Sequence, residues 1–312
     1  MKVTGYGRGQ RRQPLTAWLL LLMFCGMPFQ AMAAVRLLLA DDTPYYRETA
    51  ISLQRRLHEL APEAIISVHT QLGSWPETDI LVSIGSQALT NIRARYPDRA
   101  ALHLFVTSDF WREQCAHDPG LGNNATVVLD QPPRRLLTLA RLLMPQAHTL
   151  AVVLGPISRK HGGELESGAA ALGFKPLTGI LDPTDNPITT LSPLVNTAQV
   201  AVALPDSADF NRAVAKWLLQ LSFRARIPVI GFSRAYADAG ALASVYSTPE
   251  NMGRQGAELV AEQLAQGQLP PGMLHPRYYT LTTNAAVAGA LDIVLPTAEA
   301  LQSQYAVLLE QP

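Results

Sequence analysis

Cysteine is nearly absent from this sequence, and its scarcity limits how the chain can be stabilised. The 312 residues contain two cysteines, Cys25 and Cys115. Because Cys25 lies in an N-terminal segment that we expect to be removed, the remaining chain can form no internal disulfide. Its stability must then come from burial of an apolar core. We interpret Cys115 as a small, partly buried apolar residue rather than as a nucleophile.

Several patterns that mark common functional classes are also missing. No basic stripe follows the N-terminus, which argues against binding of nucleic acid. No glycine-rich phosphate loop is present. The seven histidines are scattered, without the short spacing that a metal site shows. We therefore expect no cofactor, no metal and no nucleic-acid partner.

The first 33 residues predict export from the bacterial cytoplasm. They carry four basic residues and no acidic one. The apolar run Leu15–Phe24 is shorter than the roughly 20 residues that a membrane-spanning helix needs, and Gly26 and Pro28 interrupt it. Ala31-Met32-Ala33 has the small residues that a signal peptidase recognises. We predict a signal peptide over 1–33, cleavage after Ala33 and a periplasmic protein.

The rest of the chain alternates short apolar runs, rich in β-branched residues, with helical patterns, as is typical of parallel sheets covered by helices. Removal of 33 of the 312 residues leaves 279, enough for two lobes or one large domain. Strands are predicted at 35–40, 65–68, 80–84, 102–106, 127–129, 150–154, 174–181, 200–204, 228–232, 241–246 and 278–281. Helices are predicted at 43–60, 86–95, 133–143, 164–172, 186–196, 210–223, 249–266 and 296–309. Two similar sets follow each other, which predicts an α/β fold with two Rossmann-like lobes of parallel strands.

Residues that follow the predicted strands form the candidate ligand site. Ligands of open parallel sheets bind beyond the carboxyl ends of the strands, where helix N-termini also gather. Each N-terminus contributes only about 0.3–1 kcal/mol to a bound anion, so several must converge. We predict polar ligand contacts from Ser86, Thr107, Ser158, Asp206 and Ser233. We predict ring contacts from Tyr45, Tyr46 and Tyr236.

Each of these candidates also has a plain structural explanation. A single serine or threonine at a helix start is more often a helix cap, and an aromatic ring is more often part of the core. The recurrence of polar and aromatic residues at the same topological place in both lobes favours a site. We hypothesise that Ser86 and Ser158 face each other across the gap between the lobes, each at a helix start.

A family likeness is carried mainly by three segments of the second half, Ile227–Ser233, Ala239–Ser244 and Met252–Glu258. Weaker support comes from Ile84–Leu89 and from Leu136–Pro145, which leads into Ala151–Leu154. In these segments the chain resembles the ABC-transporter substrate-binding proteins of the type I periplasmic-binding-protein fold, specifically the branch that includes aromatic-amino-acid binders. It departs from that family at Gly122–Thr126 and over 71–79.

The resemblance implies two lobes joined by hinge strands, with a ligand trapped between them and delivered to an inner-membrane permease. The hinge crossings would fall at Asp130–Pro133, Tyr246–Pro249 and Pro270–Pro276. The N-terminal lobe then comprises 34–130 plus 247–275, the C-terminal lobe comprises 131–246 plus 276–295, and a closing helix spans 296–312.

We therefore predict a monomeric periplasmic binding protein, not an enzyme, that closes on a small polar or amphipathic ligand such as an amino acid. A ligand-sensing module for a membrane receptor or kinase is an alternative, because it would use the same closed cleft. A serine hydrolase is a weaker alternative. Gly231–Ala235 nearly matches a nucleophile elbow, and His161 and His275 are available histidines. Ala239-Gly240, however, interrupts the helix that an elbow needs after its serine.

Overall fold

The structure, a computed structural model, describes residues 1–2, 4–5 and 33–310. The chain divides into two units, Met1–Met32 and Ala33–Pro312, and the fold lies in the second. The predicted signal peptide therefore falls almost wholly outside the described residues. Within those residues, no helix is both long enough and apolar enough to cross a membrane.

Strands of the described part form two six-stranded sheets. The strands are β1 Val35–Leu39, β2 Ile66–His69, β3 Ile80–Ile84, β4 Ala101–Val106, β5 Ala125–Val128, β6 Thr149–Leu154, β7 Lys175–Ile180, β8 Val200–Val202, β9 Val229–Gly231, β10 Ala243–Tyr246, β11 Gly272–Leu274 and β12 Thr280–Thr283. Sheet A has the order β11-β5-β4-β3-β1-β2 and is parallel throughout. Sheet B has the order β12-β10-β9-β8-β6-β7, and only its edge strand β12 runs antiparallel.

Helices cover both sheets and start at well-specified residues. They are α1 Pro44–Leu60, α2 Ser86–Arg95, α3 Ser108–His117, α4 Pro133–Leu143, α5 Gly162–Ala171, α6 Pro187–Thr197, α7 Ala208–Arg224, α8 Arg234–Asp238, α9 Pro249–Gln266, α10 Ala285–Ala290 and α11 Ala298–Glu310, with 3-10 turns at Pro119–Asn123 and Ser158–His161. The hydroxyls of Thr107, Ser207, Ser233 and Thr248 each accept a backbone N–H at a helix start. Such caps satisfy donors that the helix itself leaves unpaired.

The core is divided between the two sheets. Half A, which is sheet A with α1, α2, α3 and α9, buries apolar side chains on both faces of the sheet. Half B, which is sheet B with α4 to α8, α10 and α11, does the same. Helices α1 and α9 approach closely at Gly253, where a Cβ would lie 2.4 Å from the carbonyl oxygen of Thr49. Only glycine fits that contact without a shift of backbone.

Three segments carry the chain between the halves, and hydrogen bonds join them. Residues 129–132 connect β5 to α4, residues 247–248 connect β10 to α9, and residues 275–279 connect β11 to β12. Gln131 Nε2 donates to Ser247 Oγ at 2.8 Å, and Ser247 Oγ donates to the carbonyl of Tyr278 at 2.6 Å. All three crossings therefore share one buried hydrogen-bond chain.

Half A also contains a buried polar row across neighbouring strands. Ser83, His103 and Thr126 lie side by side on β3, β4 and β5, and all three are fully buried. Ser83 Oγ is 2.7 Å from His103 Nδ1. Burial lowers the pKa of His103 to about 3, with the positive charge of Arg93 as a second cause. The imidazole is therefore neutral in the folded protein at neutral pH.

Several local predictions are wrong. Residues 108–117 form helix α3, which was not predicted because its sequence is polar and lacks a clear apolar face. Ser86 does not cap α2: it is the first helical residue, and Gly85, with φ at 97°, occupies the cap position. The segment Pro270–Pro276, predicted as a hinge crossing, contains strand β11, because pairing with β5 forms a strand of three residues. The short helices α8 and α10 were also missed.

Candidate functional site

A cavity of about 90 Å³ lies between half A and half B. Residues from both halves and from two of the crossing segments line it: Ser108, Asp109, Arg112, Asp130, Gln131, Pro133, Ser158, His161, Glu164, Leu204, Pro205 and His275. Most of these residues follow the carboxyl end of a parallel strand or lie in the first turns of the next helix. This is the place where open α/β sheets bind ligands.

The start of α3 forms the wall of the cavity on the side of half A. Thr107 Oγ1 caps the helix by accepting the N–H of Phe110 at 3.3 Å. The N–H of Ser108 donates to the carboxylate of Asp130. One turn further along, Arg112 Nη1 donates to Ser108 Oγ at 3.2 Å and to Asp109 Oδ1 at 3.4 Å. The guanidinium is thus held on its own helix by two side chains.

Asp206 organises the wall on the side of half B. Its carboxylate accepts the N–H and the Oγ–H of Ser158, at 2.8 and 2.6 Å, and the N–H of Ile157 at 3.2 Å. It also accepts the N–H of Ser207 at 2.7 Å. Gly155 makes room for this carboxylate, because a Cβ there would lie 2.6 Å from Asp206 Oδ2. Asp206 therefore fixes the loop after β6 against the loop after β8.

One contact bridges the two walls. Arg112 Nη1 lies 3.3 Å from Nε2 of His161, and Asp109 Oδ1 lies 3.6 Å from the same nitrogen. A neutral His161 with an unprotonated Nε2 accepts the hydrogen bond from Arg112. A protonated His161 would instead pair with Asp109. Either form connects α3 of half A to the start of α5 in half B.

Asp130 is a half-buried acid of the cavity lining. Burial raises the pKa of its carboxyl above the ordinary value. The negative charge of Asp109 acts in the same direction, whereas the hydrogen bonds from Ser108 and the charge of His275 act against it. The cavity thus holds a carboxylate whose charge is poorly compensated by the protein.

Of the predicted site residues, three gather at this cavity. Ser158 lines it and is buried. Asp206 contacts Ser158, and Thr107 caps the helix whose first residue, Ser108, lines the cavity. As ligand contacts all three stay predictions.

The other five candidates, three in half A and two in half B, lie outside the lining. In half A, Tyr45 is exposed, while Tyr46 packs edge-on against Phe105 with ring centroids 5.7 Å apart. Ser86 is half-buried at the start of α2. In half B, Ser233 caps α8 through the N–H of Tyr236, and that tyrosine is buried. These five residues stand apart from the cavity lining in this structure.

The arrangement gives no support to hydrolase chemistry. Ser233 caps a helix, but that helix ends at Asp238, just before the interruption at Ala239-Gly240 that the sequence shows. His161 and His275 line the cavity, whereas Ser233 does not. Among the described residues, no three His, Cys, Asp or Glu side chains are grouped so that they could hold a metal ion.

Sequence reasoning missed most of the cavity lining. Asp130 was placed in a hinge crossing, although it lies two residues beyond the end of β5, where a strand-end search would find it. Arg112 and Glu164 lie in the first turns of α3 and α5, about six and ten residues beyond the ends of β4 and β6. Arg112 could not be identified from the sequence because helix α3 was not predicted.

Comparisons with known proteins agree with this architecture. No family model and no curated protein matches the chain. Among solved structures, the ligand-free, open structure of a Clostridium difficile substrate-binding protein with adhesive properties has a TM-score of 0.68 at 15% identity, covering 86% of this chain and 97% of that one. The chain has the fold of type I periplasmic binding proteins.

Two further structures of this fold match at similar coverage. An ABC domain from Streptococcus pneumonia in complex with L-Trp has a TM-score of 0.56 at 15% identity, covering 88% of this chain and 98% of that one. A conserved domain protein from Vibrio cholerae has a TM-score of 0.56 at 19% identity, covering 87% and 98%. The predicted α/β fold with two lobes is confirmed.

Proposed function

We propose that this protein is a periplasmic solute-binding component of an ABC transporter, which captures a small polar or amphipathic solute between its two halves without transforming it. The observation that carries the proposal is the cavity lined jointly by strand ends of half A, strand ends of half B and the crossing segments. Such a site exists only between the halves, so a ligand there contacts both. The solute-binding proteins among the similar folds support a binding role.

The two proposed lobes correspond to the two sheets. Residues 34–130 plus 247–275 would move as one lobe, and 131–246 plus 276–295 as the other. The membership of β11 in sheet A and of β12 in sheet B supports these limits. Helix α11 packs on α4, so the closing segment 296–312 would travel with the second lobe.

Ser158 is the proposed direct polar contact among the residues predicted from sequence. Thr107 and Asp206 act in this proposal as positioning residues, because they hold the backbone of Ser108 and Ser158. Export with cleavage after Ala33, a monomeric state and delivery to an inner-membrane permease complete the proposal. The N-terminal sequence supports export, and the family resemblance supports the permease.

A thermal-shift screen tests the binding role. The mature protein is heated with amino acids, amines, sugars, small organic acids and purines. A solute present at a hundredfold excess over its Kd stabilises the folded protein by about 2.7 kcal/mol, which raises Tm measurably. We expect at least one of these compounds to raise Tm.

A matched pair of variants shows whether binding occurs in the cavity. Glu164→Trp places a large ring in the lining, whereas Glu166→Trp places the same ring two residues further along α5, outside the lining. We expect Glu164→Trp to abolish the shift and Glu166→Trp to keep it. A shift that survives Glu164→Trp would show that the compound binds elsewhere.

A further inference from the structure

The cavity walls offer backbone N–H groups of the kind that bind anions, but the protein's own carboxylates already occupy them. Free N–H groups at helix starts and strand ends are a ready-made site for a ligand carboxylate. In this chain each wall supplies its own aspartate to those donors. The charge of the ligand can therefore be inferred from the charged groups that remain in the cavity lining.

On the side of half B, one carboxylate takes four donors. Asp206 accepts the N–H groups of Ile157, Ser158 and Ser207 and the hydroxyl of Ser158, at 2.6 to 3.2 Å for the shortest contact of each. The Oγ of Ser158 also accepts the N–H of Gly155 at 2.8 Å. A ligand carboxylate at this wall would have to displace Asp206.

On the side of half A, backbone N–H groups are likewise bonded to side-chain oxygens of the protein itself. The N–H of Ser108 donates to Asp130, and the N–H of Phe110 donates to Thr107 Oγ1. The N–H groups of Ser108 and Phe110, in the first turn of α3, are therefore bonded within the protein. Each wall thus bonds an aspartate of its own to backbone N–H groups, although Asp206 takes more donors than Asp130.

The charges that remain in the lining are mainly negative. Among the described residues of the lining, Asp109, Asp130 and Glu164 are the acids and Arg112 is the permanent cation, beside His161 and His275. That guanidinium already bonds Ser108 and Asp109 and contacts His161. A carboxylate entering this space would be repelled by Asp130 and Glu164, whereas a cation would be attracted by them.

We infer that the ligand carries a positively charged nitrogen and no carboxylate, with Asp130 of the cavity lining as its principal counter-charge. This inference rests on the proposed function and names the chemical class of its solute. The cavity volume of about 90 Å³ is smaller than the roughly 150 Å³ that encloses a benzene ring, so it takes a small cationic head group. The rest of the ligand would extend into the open part of the cleft.

Pairs of compounds that differ by one carboxylate test the inference. Tryptamine with tryptophan, cadaverine with lysine and agmatine with arginine are titrated into the full-length mature protein by calorimetry at pH 7, where the amines are protonated. We expect the binding member of a pair to be the amine, with a Kd at least about tenfold lower than that of its amino acid. The Kd should rise with added salt.

Three variants locate the counter-charge. Asp130→Asn keeps an oxygen that accepts the N–H of Ser108 but removes the charge, and should raise the Kd of the amine at least about tenfold. Asp98→Asn removes the same charge from an exposed turn outside the cavity and should change Kd less than about twofold. Arg112→Gln should leave amine binding as tight or tighter.

The outcomes separate the inference from the function. An amino acid that binds as tightly as its amine, or an Asp130→Asn variant with unchanged amine affinity, would overturn the inference while solute binding stands. A loss of binding in Arg112→Gln would also overturn it, because Arg112 would then hold a ligand anion. If no compound of the pairs or of the wider screen stabilises the protein, the proposed function itself fails.

Discussion

Each half of the molecule places one aspartate beyond the end of a strand at the cavity, and the two differ in how they are partnered. In half B, Asp206 accepts hydrogen bonds from four donors of the neighbouring loops. In half A, Asp130 accepts the N–H of Ser108, and burial raises the pKa of its carboxyl. Two residues of one type at similar places in similar lobes thus have different roles.

This difference shows that the position of a residue at a strand end does not by itself identify it as a ligand contact. A carboxylate with all its acceptor positions used holds loops together, as Asp206 does. A buried carboxylate with few partners carries an electrostatic cost that a bound cation can offset. Half A also contains the buried His103, whose Nδ1 lies beside Ser83 Oγ while its Nε2 has no partner among the described residues.

Acid should destabilise the protein through half A first. The folded state keeps His103 neutral down to a pKa of about 3, whereas the unfolded chain takes up a proton near pH 6.5. The free energy of unfolding should therefore fall between about pH 6.5 and pH 3, by up to about 5 kcal/mol from this group, and no further below that range. Urea unfolding measured across this pH range checks the slope.

The variant His103→Gln removes this titration and should flatten the dependence of the free energy of unfolding on pH. The control His117→Gln, at an exposed helix end, should leave that dependence unchanged. Equal slopes for wild type and His103→Gln would show that the acid sensitivity lies elsewhere, and the contrast between the halves would lose its main support.

Removal of the two cavity aspartates should have opposite effects on the ligand-free protein. Asp206→Ala leaves the N–H groups of Ile157, Ser158 and Ser207 without their acceptor and should lower the free energy of unfolding by about 3 kcal/mol. Asp182→Ala, which breaks an exposed ion pair with Arg159 in the same half, should lower it by less than about 1 kcal/mol. Chemical denaturation measures all of these changes.

Asp130→Asn should show the smallest change, and in the opposite direction. Because the pKa of Asp130 is raised in the folded state, its ionisation weakens folding as the pH rises through that pKa. The neutral amide should therefore leave the free energy of unfolding at pH 7 equal or higher. A clear loss of stability would place Asp130 with Asp206 as a structural residue and remove the difference between the halves.

The sequence predicts the layered architecture well because that architecture depends on local patterns. Buried strands such as β3 consist mainly of apolar residues, and Thr248 before α9 and Gly267 after it mark the ends of that helix. Such features involve only neighbouring residues. The alternation of strands and helices therefore suffices to predict two parallel sheets.

The cavity is less predictable because it depends on contacts between distant residues. Ser158 was found by its place after a strand, but its tie to Asp206 joins loops 48 positions apart. Arg112 reaches the cavity only because α3 turns it toward His161 of the other half. Strand β11 needs β5 as a partner. These features appear only when the chain is folded.

Closure of the two halves around a solute is tested most directly by the distance between them. Spin labels are attached at Glu113→Cys in half A and Lys160→Cys in half B, in a Cys115→Ala background. Double electron–electron resonance then measures the distance between the two labels. With a compound that raises Tm, the separation should shorten and narrow to one population, and Glu164→Trp should prevent this. An unchanged separation with that compound bound would contradict the account.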